Sequence, residues 1–251
     1  MELGTFPHLD KANSIKLEMF IERIQCEDPD SVMATLGATL GGIPQQCVLE
    51  ACDLATFAPQ TTLSVRAFTW YCCMLQSLAD HCDGPVRRVI VHPDVVSQWR
   101  STRKQRACNQ LLGRAPLFKP NTDVLVPLHS GDAAWSLVVV QNGASPATTT
   151  RLCCYDPCGV QTPDDVKEVE NMLQALRAGF GAEPYHAPLV QEHVPMPPEC
   201  VPDDPHDNAI AVLFTVRALV LGEALGMPAA LLRTYRMHAA YEVKKNTLTD
   251  L

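Results

Sequence analysis

A long apolar run over residues 206–225 is the strongest pattern in the chain and predicts a buried helix. After Asp207, the only charged residues in this run are Arg217 and Glu223. A helix that is apolar nearly all the way round lies in a protein core, because it has no polar face to turn to solvent. A run of about 16 to 18 residues with an internal arginine is too short and too polar for a membrane span. We therefore expect a central core helix.

Turn-forming residues mark both ends of this helix. Residues 195–205 are rich in Pro and Asp and cannot form regular structure. Asp207 or Asn208 provides an N-cap, and Gly226 followed by Pro228 ends the helix. The free N–H groups at the start of a buried helix lower the pKa of a thiol and can bind an oxyanion, so enzymes place nucleophiles there. Here that position holds Asn208, and an amide is not a nucleophile.

Residues 1–58 predict a distinct helical region. A first helix is predicted by apolar residues at positions i, i+3, i+4 and i+7, namely Leu17, Phe20, Ile21 and Ile24. A second helix is predicted by Val32, Leu36 and Leu40, closed by Gly41-Gly42, and a third by residues 44–57. Nine acidic and three basic residues give this region a charge of −6, out of −8 for the whole chain. We expect a solvated cap on the main domain, residues 59–251; the alternative is an arm that docks a partner.

The main domain alternates predicted helices and strands, which indicates an α+β fold. Two strands, over residues 123–128 and 134–141, contain continuous apolar runs, so we expect both faces of their sheet to be covered. The remaining predicted strands cover residues 86–91, 149–155 and 184–194. Further helices are predicted over residues 63–79, 95–106, 162–176 and 228–242.

Composition narrows the classes of function. A net charge of −8 gives nucleic-acid binding no general support. The N-terminus does not resemble a signal peptide, so we expect the 11 cysteines to be reduced thiols in the cytoplasm or nucleus, most of them buried. Cys153, Cys154 and Cys158 lack a standard zinc spacing. We expect no metal, no cofactor and no small-molecule substrate.

One basic run interrupts the acidic chain. Between residues 87 and 119 there are eight basic residues and a single acid, Asp94. The bland interpretation is a solvated helix face, and the alternative is a docking surface for an acidic partner. The basic residues are Arg87, Arg88, Arg100, Arg103, Lys104, Arg106, Arg114 and Lys119.

Three segments together resemble one known family. They are Pro127-Leu128 followed by residues 134–139, then Tyr155-Asp156, and then residues 202–212 at the start of the long helix. With the helix start at residues 92–96, this layout resembles the ubiquitin-like-protein proteases, the Ulp/SENP cysteine peptidases, most closely the deneddylase-like branch. The resemblance covers residues 60–245. It implies a papain-like fold, in which a mixed sheet packs on the central helix.

The resemblance also assigns catalytic positions, and most of them are replaced. In the family a His activates a Cys thiol, an Asp orients the His, and a Gln six residues before the Cys helps to hold the oxyanion. The His position is Ala134, and the Cys position is Asn208. The Gln position is Pro202, which lacks even a backbone N–H. Asp156 matches the family Asp, but without the His a turn-capping carboxylate is the simpler interpretation of this residue.

Binding positions are partly kept. Trp135 matches the tryptophan that covers the tunnel for the modifier's diglycine tail. Thr62 and Val65 stand where the family has a Trp and an Asp, so part of the tail-binding wall is altered. Possible modifier-binding residues are therefore Trp135 and the basic residues Arg87, Arg88, Arg100, Arg103, Lys104 and Arg106.

We therefore expect a catalytically inactive pseudopeptidase that acts as a binding or scaffolding module. Its partner would be a ubiquitin-like modifier, a conjugate or another protein. The alternative is an active cysteine isopeptidase that uses displaced residues. Cys200 with His206 or with His129 is the pairing that such an enzyme would need.

Overall fold

The computed structural model describes residues 11–40, 43–81, 84–102, 117–130, 134–143, 150–157, 159, 163–179, 189–223, 225 and 227–245. Its helices are α1 (Lys11–Ile24), α2 (Ala51–Ala55), α3 (Val65–Ala79), α4 (Val95–Thr102), α5 (Pro163–Gly179), α6 (Asn208–Leu221) and α7 (Ala229–Lys245). Its strands are β1 (Val32–Leu40), β2 (Ile43–Glu50), β3 (Arg87–Ile90), β4 (Thr122–Ser130), β5 (Ala134–Asn142), β6 (Arg151–Tyr155) and β7 (Val190–Val194). Two 3-10 turns, Pro198–Cys200 and Pro205–Asp207, precede α6.

Five strands form a mixed sheet in the order β3-β4-β5-β6-β7. The two outer pairs are parallel, and the pairs β4-β5 and β5-β6 are antiparallel. Alternate residues of β4 and β5 point to opposite faces. Val124 and Val138 pack with α4 and α5, whereas Leu125 and Leu137 pack with α3, α6 and α7. Both faces of the sheet are covered, as the apolar runs predicted.

The central helix α6 is buried nearly all round, as its composition predicted. Its buried residues include Arg217, and it packs against α3, β5 and α7. The helix ends at Leu221, four residues before the predicted end. Gly222 adopts the left-handed conformation with φ of 73°, and the N–H of Glu223 closes the turn on the carbonyl of Ala218 at 2.8 Å. A glycine reaches this conformation without steric cost, so the earlier of two glycines ends the helix.

The N-terminal region differs from the prediction. The first helix is present as α1, with Leu17, Ile21 and Ile24 buried. The predicted second helix is wrong, and most of the third is wrong, because these residues form the antiparallel strands β1 and β2 and the short helix α2. A spacing of four residues fits one face of a strand as well as a helix. Leu40 pairs with Ile43, so β1 is still a strand where the second helix was predicted to end. Gly41-Gly42, the predicted helix end, lies outside the described residues.

Residues on both sides of position 58 share one hydrophobic cluster. The buried side chains of α1 and of the β1-β2 hairpin join the cluster formed by α3, α6 and α7. Arg236 of α7 is fully buried and donates to the carbonyl oxygens of Thr56 at 3.0 Å and Thr61 at 3.0 Å. The division of the chain at residue 58 stays a prediction. The described residues of α1, β1, β2 and α2 complete the core, so a partner that docks on this region would contact a segment that also stabilises the fold.

A polar network crosses the same cluster. Arg217 of α6 donates to both carboxylate oxygens of Glu242 of α7, at 2.9 and 3.1 Å, and to the hydroxyl of Tyr71 at 2.9 Å. The Tyr71 hydroxyl also lies 3.1 Å from that of Tyr235. Burial raises the pKa of both tyrosines, so their hydroxyls stay protonated.

In the described part of the chain, no helix is long and apolar enough to cross a bilayer.

Candidate functional site

The start of α6 meets the sheet at Trp135. The backbone N–H of Trp135 donates to the side-chain Oδ1 of Asn208, and both residues are buried. The indole stacks on the ring of Phe68 with centroids 3.8 Å apart, and the His129 ring lies 4.7 Å from it. Asn208 therefore connects the helix N-terminus to β5. Trp135 therefore lies beside the start of the central helix.

Two buried donors at this junction lack a partner among the described residues. They are Nδ2 of Asn208 and Nε1 of Trp135. The amide orientation of Asn208 follows from chemistry, since the Trp135 N–H requires an acceptor and Nδ2 can only donate. The position that the family resemblance assigns to a nucleophile thus holds an amide whose oxygen is already engaged.

We expect Asn208→Ala to lower the free energy of unfolding by about 1–3 kcal/mol, because the buried N–H of Trp135 loses its acceptor. Chemical denaturation measures the change. Gln174→Ala, at an exposed amide of α5, is the control and should stay within about 0.5 kcal/mol of the native chain. Equal values for the two variants would show that the Asn208 hydrogen bond does not hold the helix to the sheet.

Two other positions implied by the resemblance lie around the same junction. Ala134 opens β5 directly before Trp135. Tyr155 pairs with Leu137, so Asp156, the next residue after β6, lies at the Ala134 end of β5. Asp156 is 8% exposed. The Asp156 carboxylate is therefore near the Ala134 end of β5, where the side chain at position 134 is only a methyl group.

Pro202 and the residues proposed to restore activity lie before α6. Pro202 is half-buried between the two 3-10 turns. Cys200 is buried, and burial raises the pKa of its thiol. The negative charge of Glu199 raises this pKa further, by a smaller amount. Nδ1 of His206 lies 3.0 Å from the Thr62 hydroxyl, and the His129 ring packs against Trp135. Within the described residues, neither histidine forms a hydrogen bond with Cys200.

Arg236 holds the chain that leads into α6. Its guanidinium donates to the carboxylate of Asp207 at 2.9 Å and to the carbonyl oxygen of His206. The same group binds carbonyls of the segment before α3. Asp207 therefore serves as an ion-pair partner, and its side chain makes no capping hydrogen bond to α6. Sequence reasoning missed Arg236, because its partners are 29 to 180 residues away.

The described residues of the basic run do not gather at Trp135. Arg87 pairs with Thr122, and Trp135 pairs with His129. These positions are seven residues apart on β4, which is about 23 Å of strand. Arg88 lies next to Arg87, and Arg100 forms an ion pair with Asp165 of α5. Arg103, Lys104 and Arg106 lie outside the described residues.

A cleft of about 450 Å³ opens between β2, the start of α3 and the loop after β3. Its walls include Cys47 and Glu50 of β2, Val65 and Thr69 of α3, and His92. Val65 is one of the positions that the resemblance assigns to the tail-binding wall. Sequence reasoning missed this cleft, because the segment that forms one side of it was predicted as a helix.

The described residues contain one cluster with the chemistry of metal ligands. Ligand atoms of Glu50, Cys52 and Asp53 lie within 4.8 Å of one another. Arg66 forms ion pairs with Glu50 and with Asp53, the latter at 3.6 Å. The Asp53 carboxylate also accepts a hydrogen bond from Ser64 at 2.8 Å. The single Arg66 guanidinium therefore offsets part of the negative charge of the two carboxylates, which also form the capping box at the start of α2.

The cysteines considered for zinc are separated. Cys153 packs on the α3, α6 and α7 side of the sheet, and Cys154 packs on the α4 and α5 side. Adjacent residues of a strand point to opposite faces, so these two thiols cannot share an ion. Burial raises the pKa of both, that of Cys154 to about 11. Cys158 lies outside the described residues.

Comparison with known proteins identifies the fold. No protein-family model matches the chain, and no curated protein matches it. A solved structure of the C-terminal Ulp1 protease domain, in complex with Smt3, the yeast ortholog of SUMO, superposes with a TM-score of 0.67 at 10% identity, over 96% of this chain and 97% of that chain. The chain has the Ulp1 protease fold. The Chaetomium thermophilum Ulp1-like SUMO protease catalytic domain matches with a TM-score of 0.62 at 15% identity, over 94% of this chain and 90% of that chain.

These matches confirm the predicted papain-like α+β class with the sheet packed on a central helix. The Ulp1 fold extends over nearly the whole chain, including the region before residue 59. The neighbours are SUMO proteases, so the expected closeness to the deneddylase-like branch is not confirmed.

Proposed function

We propose that this chain is a non-catalytic binding module built on the Ulp1 protease fold. The observation that carries the proposal is Asn208, at the start of the buried helix, with its amide oxygen engaged by the backbone N–H of Trp135. An amide cannot attack a carbonyl, and the methyl group of Ala134 cannot accept a proton. The retained Asp156 has no imidazole at position 134 to orient.

Displaced residues give the alternative, an active isopeptidase, little support. A catalytic thiol requires a lowered pKa or an adjacent base. Burial raises the pKa of Cys200, and His206 bonds to Thr62. Turnover of a fluorogenic substrate, in which the dye is attached to the C-terminus of a ubiquitin-like modifier, tests this directly. We expect no hydrolysis above buffer; hydrolysis that Cys200→Ala abolishes would establish the alternative.

The partner that fits the proposal is a ubiquitin-like modifier or its conjugate. The Ulp1 neighbour is bound to a SUMO ortholog, and fold similarity supports a partner of this kind. Arg87 is 54% exposed at its side chain and lies at the end of the sheet far from Trp135. Binding through the Arg87 and Arg88 surface would use the globular part of a modifier and leave the altered tail wall unused.

We expect modifier binding to be weak, salt-sensitive and independent of the diglycine tail. Exposed charge pairs mainly raise association rates and add little affinity each. Screening shortens the Debye length from about 10 Å at 0.1 M to about 3 Å at 1 M salt, so affinity should fall with salt. Calorimetric titration of SUMO with and without its tail measures both effects.

Charge variants locate the surface. Arg87→Glu with Arg88→Glu should weaken binding, and Lys167→Glu, an exposed base of α5, should leave it unchanged. Tight, salt-independent binding that requires the tail would instead place the modifier at Trp135. A role of residues 1–58 in binding should be tested with charge variants and not by deletion. Deletion would remove α1 and the hairpin, whose apolar side chains complete the core.

A further inference from the structure

Two cysteines face each other between the β1-β2 hairpin and α3. The sulfur atoms of Cys47 on β2 and Cys73 on α3 lie 3.1 Å apart. Cys73 is fully buried, whereas Cys47 is half-buried and lines the 450 Å³ cleft. The junction of Asn208 and Trp135 uses neither thiol. The pair therefore combines a buried sulfur with a neighbour that small molecules can reach.

The two thiols are chemically unequal. The hydrogen bond with Cys73 lowers the pKa of Cys47, although partial burial acts in the opposite direction. The same hydrogen bond and burial raise the pKa of Cys73 far above its usual value. The thiolate is the reactive form of cysteine, so Cys47 is the sulfur that reacts first. Cys73, held against it, is placed to react second.

The other thiols in the part of the chain that the structure describes lack this combination. Cys52 is exposed, but desolvation and the neighbouring Asp53 and Glu50 raise its pKa. Cys72 is fully buried, and burial raises its pKa. Among the described cysteines with a resolved shift, only Cys47 has a lowered pKa.

We propose that Cys47 and Cys73 form a reversible oxidative modification site, at which a hydroperoxide converts the two thiols into a disulfide. The Cys47 thiolate attacks one oxygen of hydrogen peroxide. An S–O bond forms, the O–O bond breaks, and the leaving oxygen takes up a proton and departs as water.

The second step closes the crosslink. The Cys73 sulfur attacks the Cys47 sulfenic acid as its thiol loses a proton, the S–S bond forms, and the S–O bond breaks with release of a second water. In total, two thiols give up two electrons and two protons, and one peroxide becomes two waters. The sulfurs must approach by about 1 Å to reach a bond length of about 2.05 Å. A dithiol reductant reverses the reaction.

The crosslink would tie the hairpin to α3. These two elements form two sides of the cleft, and Cys47 and Cys73 are 26 residues apart in sequence. A disulfide restricts the unfolded chain, so oxidation should raise the midpoint of thermal unfolding by several degrees. It would also fix the wall of the cleft. This inference stands whether or not the module binds a modifier.

The test treats the full chain with increasing hydrogen peroxide, followed by intact-mass measurement and non-reducing peptide mapping. We expect a mass decrease of about 2 Da, for the two hydrogens lost, and a crosslinked peptide pair that contains Cys47 and Cys73. Dithiothreitol should restore the original mass. Cys47→Ser and Cys73→Ala should each abolish the crosslink, and Cys52→Ser should leave it unchanged.

Mapping of the unmodified sequence keeps the test valid if Cys73→Ala does not fold. Accumulation of sulfinic acid at Cys47 without a crosslink would overturn the proposal. A crosslink from Cys47 to Cys72 would also overturn it, as would oxidation of Cys52 while Cys47 stays reduced.

Discussion

Glu242→Gln is expected to lower the free energy of unfolding by about 3–5 kcal/mol, because it removes the carboxylate charge that faces the buried Arg217 guanidinium. The Arg217 and Glu242 side chains are 1% and 0% exposed, and their contact is 2.9 Å. Glutamine matches glutamate in shape, so packing changes little and the loss reports the charge. Chemical denaturation at neutral pH measures it.

The double variant Arg217→Met with Glu242→Leu separates charge from packing. Replacing a buried ion pair by apolar residues of similar volume is often neutral or stabilising. The loss should therefore be much smaller than that of Glu242→Gln alone. Tyr71, which also bonds the pair, stays within reach of Tyr235 in either variant. If Glu242→Gln lowers the free energy of unfolding by less than about 1 kcal/mol, the Arg217 charge is stabilised by solvent or by another group and not mainly by Glu242.

Arg236→Met is the second large expected effect, with a loss of about 3–5 kcal/mol. The substitution removes the charge that pairs with Asp207 and leaves carbonyls before α3 without their donor. Arg236→Lys should recover little, because an ammonium cannot reproduce the planar fork of a guanidinium. Arg233→Met, at an exposed position on the same helix, should cost about 0.5 kcal/mol or less.

Hydrogen exchange gives a local readout for Arg236. Residues 56–62 and the turn before α6 are joined through this guanidinium and through the Thr62–His206 contact. Arg236→Met should therefore speed exchange in both segments beyond the global effect. Unchanged protection there would show that the apolar contacts of α7 alone position the start of α6.

The sequence predicted those features that depend on local periodicity. The apolar run identified α6, and continuous apolar runs identified β4 and β5 as buried on both faces. The resemblance assigned Asn208, Ala134 and Trp135 to family positions, and in the structure Asn208 accepts a hydrogen bond from the Trp135 N–H. Each of these conclusions rests on a pattern within one segment or on the resemblance. None of them required knowledge of the contacts between distant segments.

Features that depend on contacts between distant segments were not predictable in this way. The hairpin was taken for helices, because residues spaced by four fit both periods. The cleft and the Cys47–Cys73 contact were therefore not predicted either, because both involve β2 of this hairpin. Arg217 was visible as a charge in an apolar helix, but nothing in its own segment names Glu242. The partners in a buried polar network can be identified only after the fold is known, because they are distant in the sequence.

The most direct test of the central claim is an intact-mass measurement after incubation with ubiquitin-like modifiers that carry a C-terminal vinyl sulfone. A yeast Ulp1 protease domain treated in parallel shows that the probe is competent. Because the resemblance assigns the nucleophile position to Asn208, and burial keeps the Cys200 thiol protonated by raising its pKa, the mass of this chain should stay at 27.5 kDa. A shift by the mass of the modifier, retained in Asn208→Ala and lost in Cys200→Ala, would contradict the assignment and establish a displaced catalytic thiol.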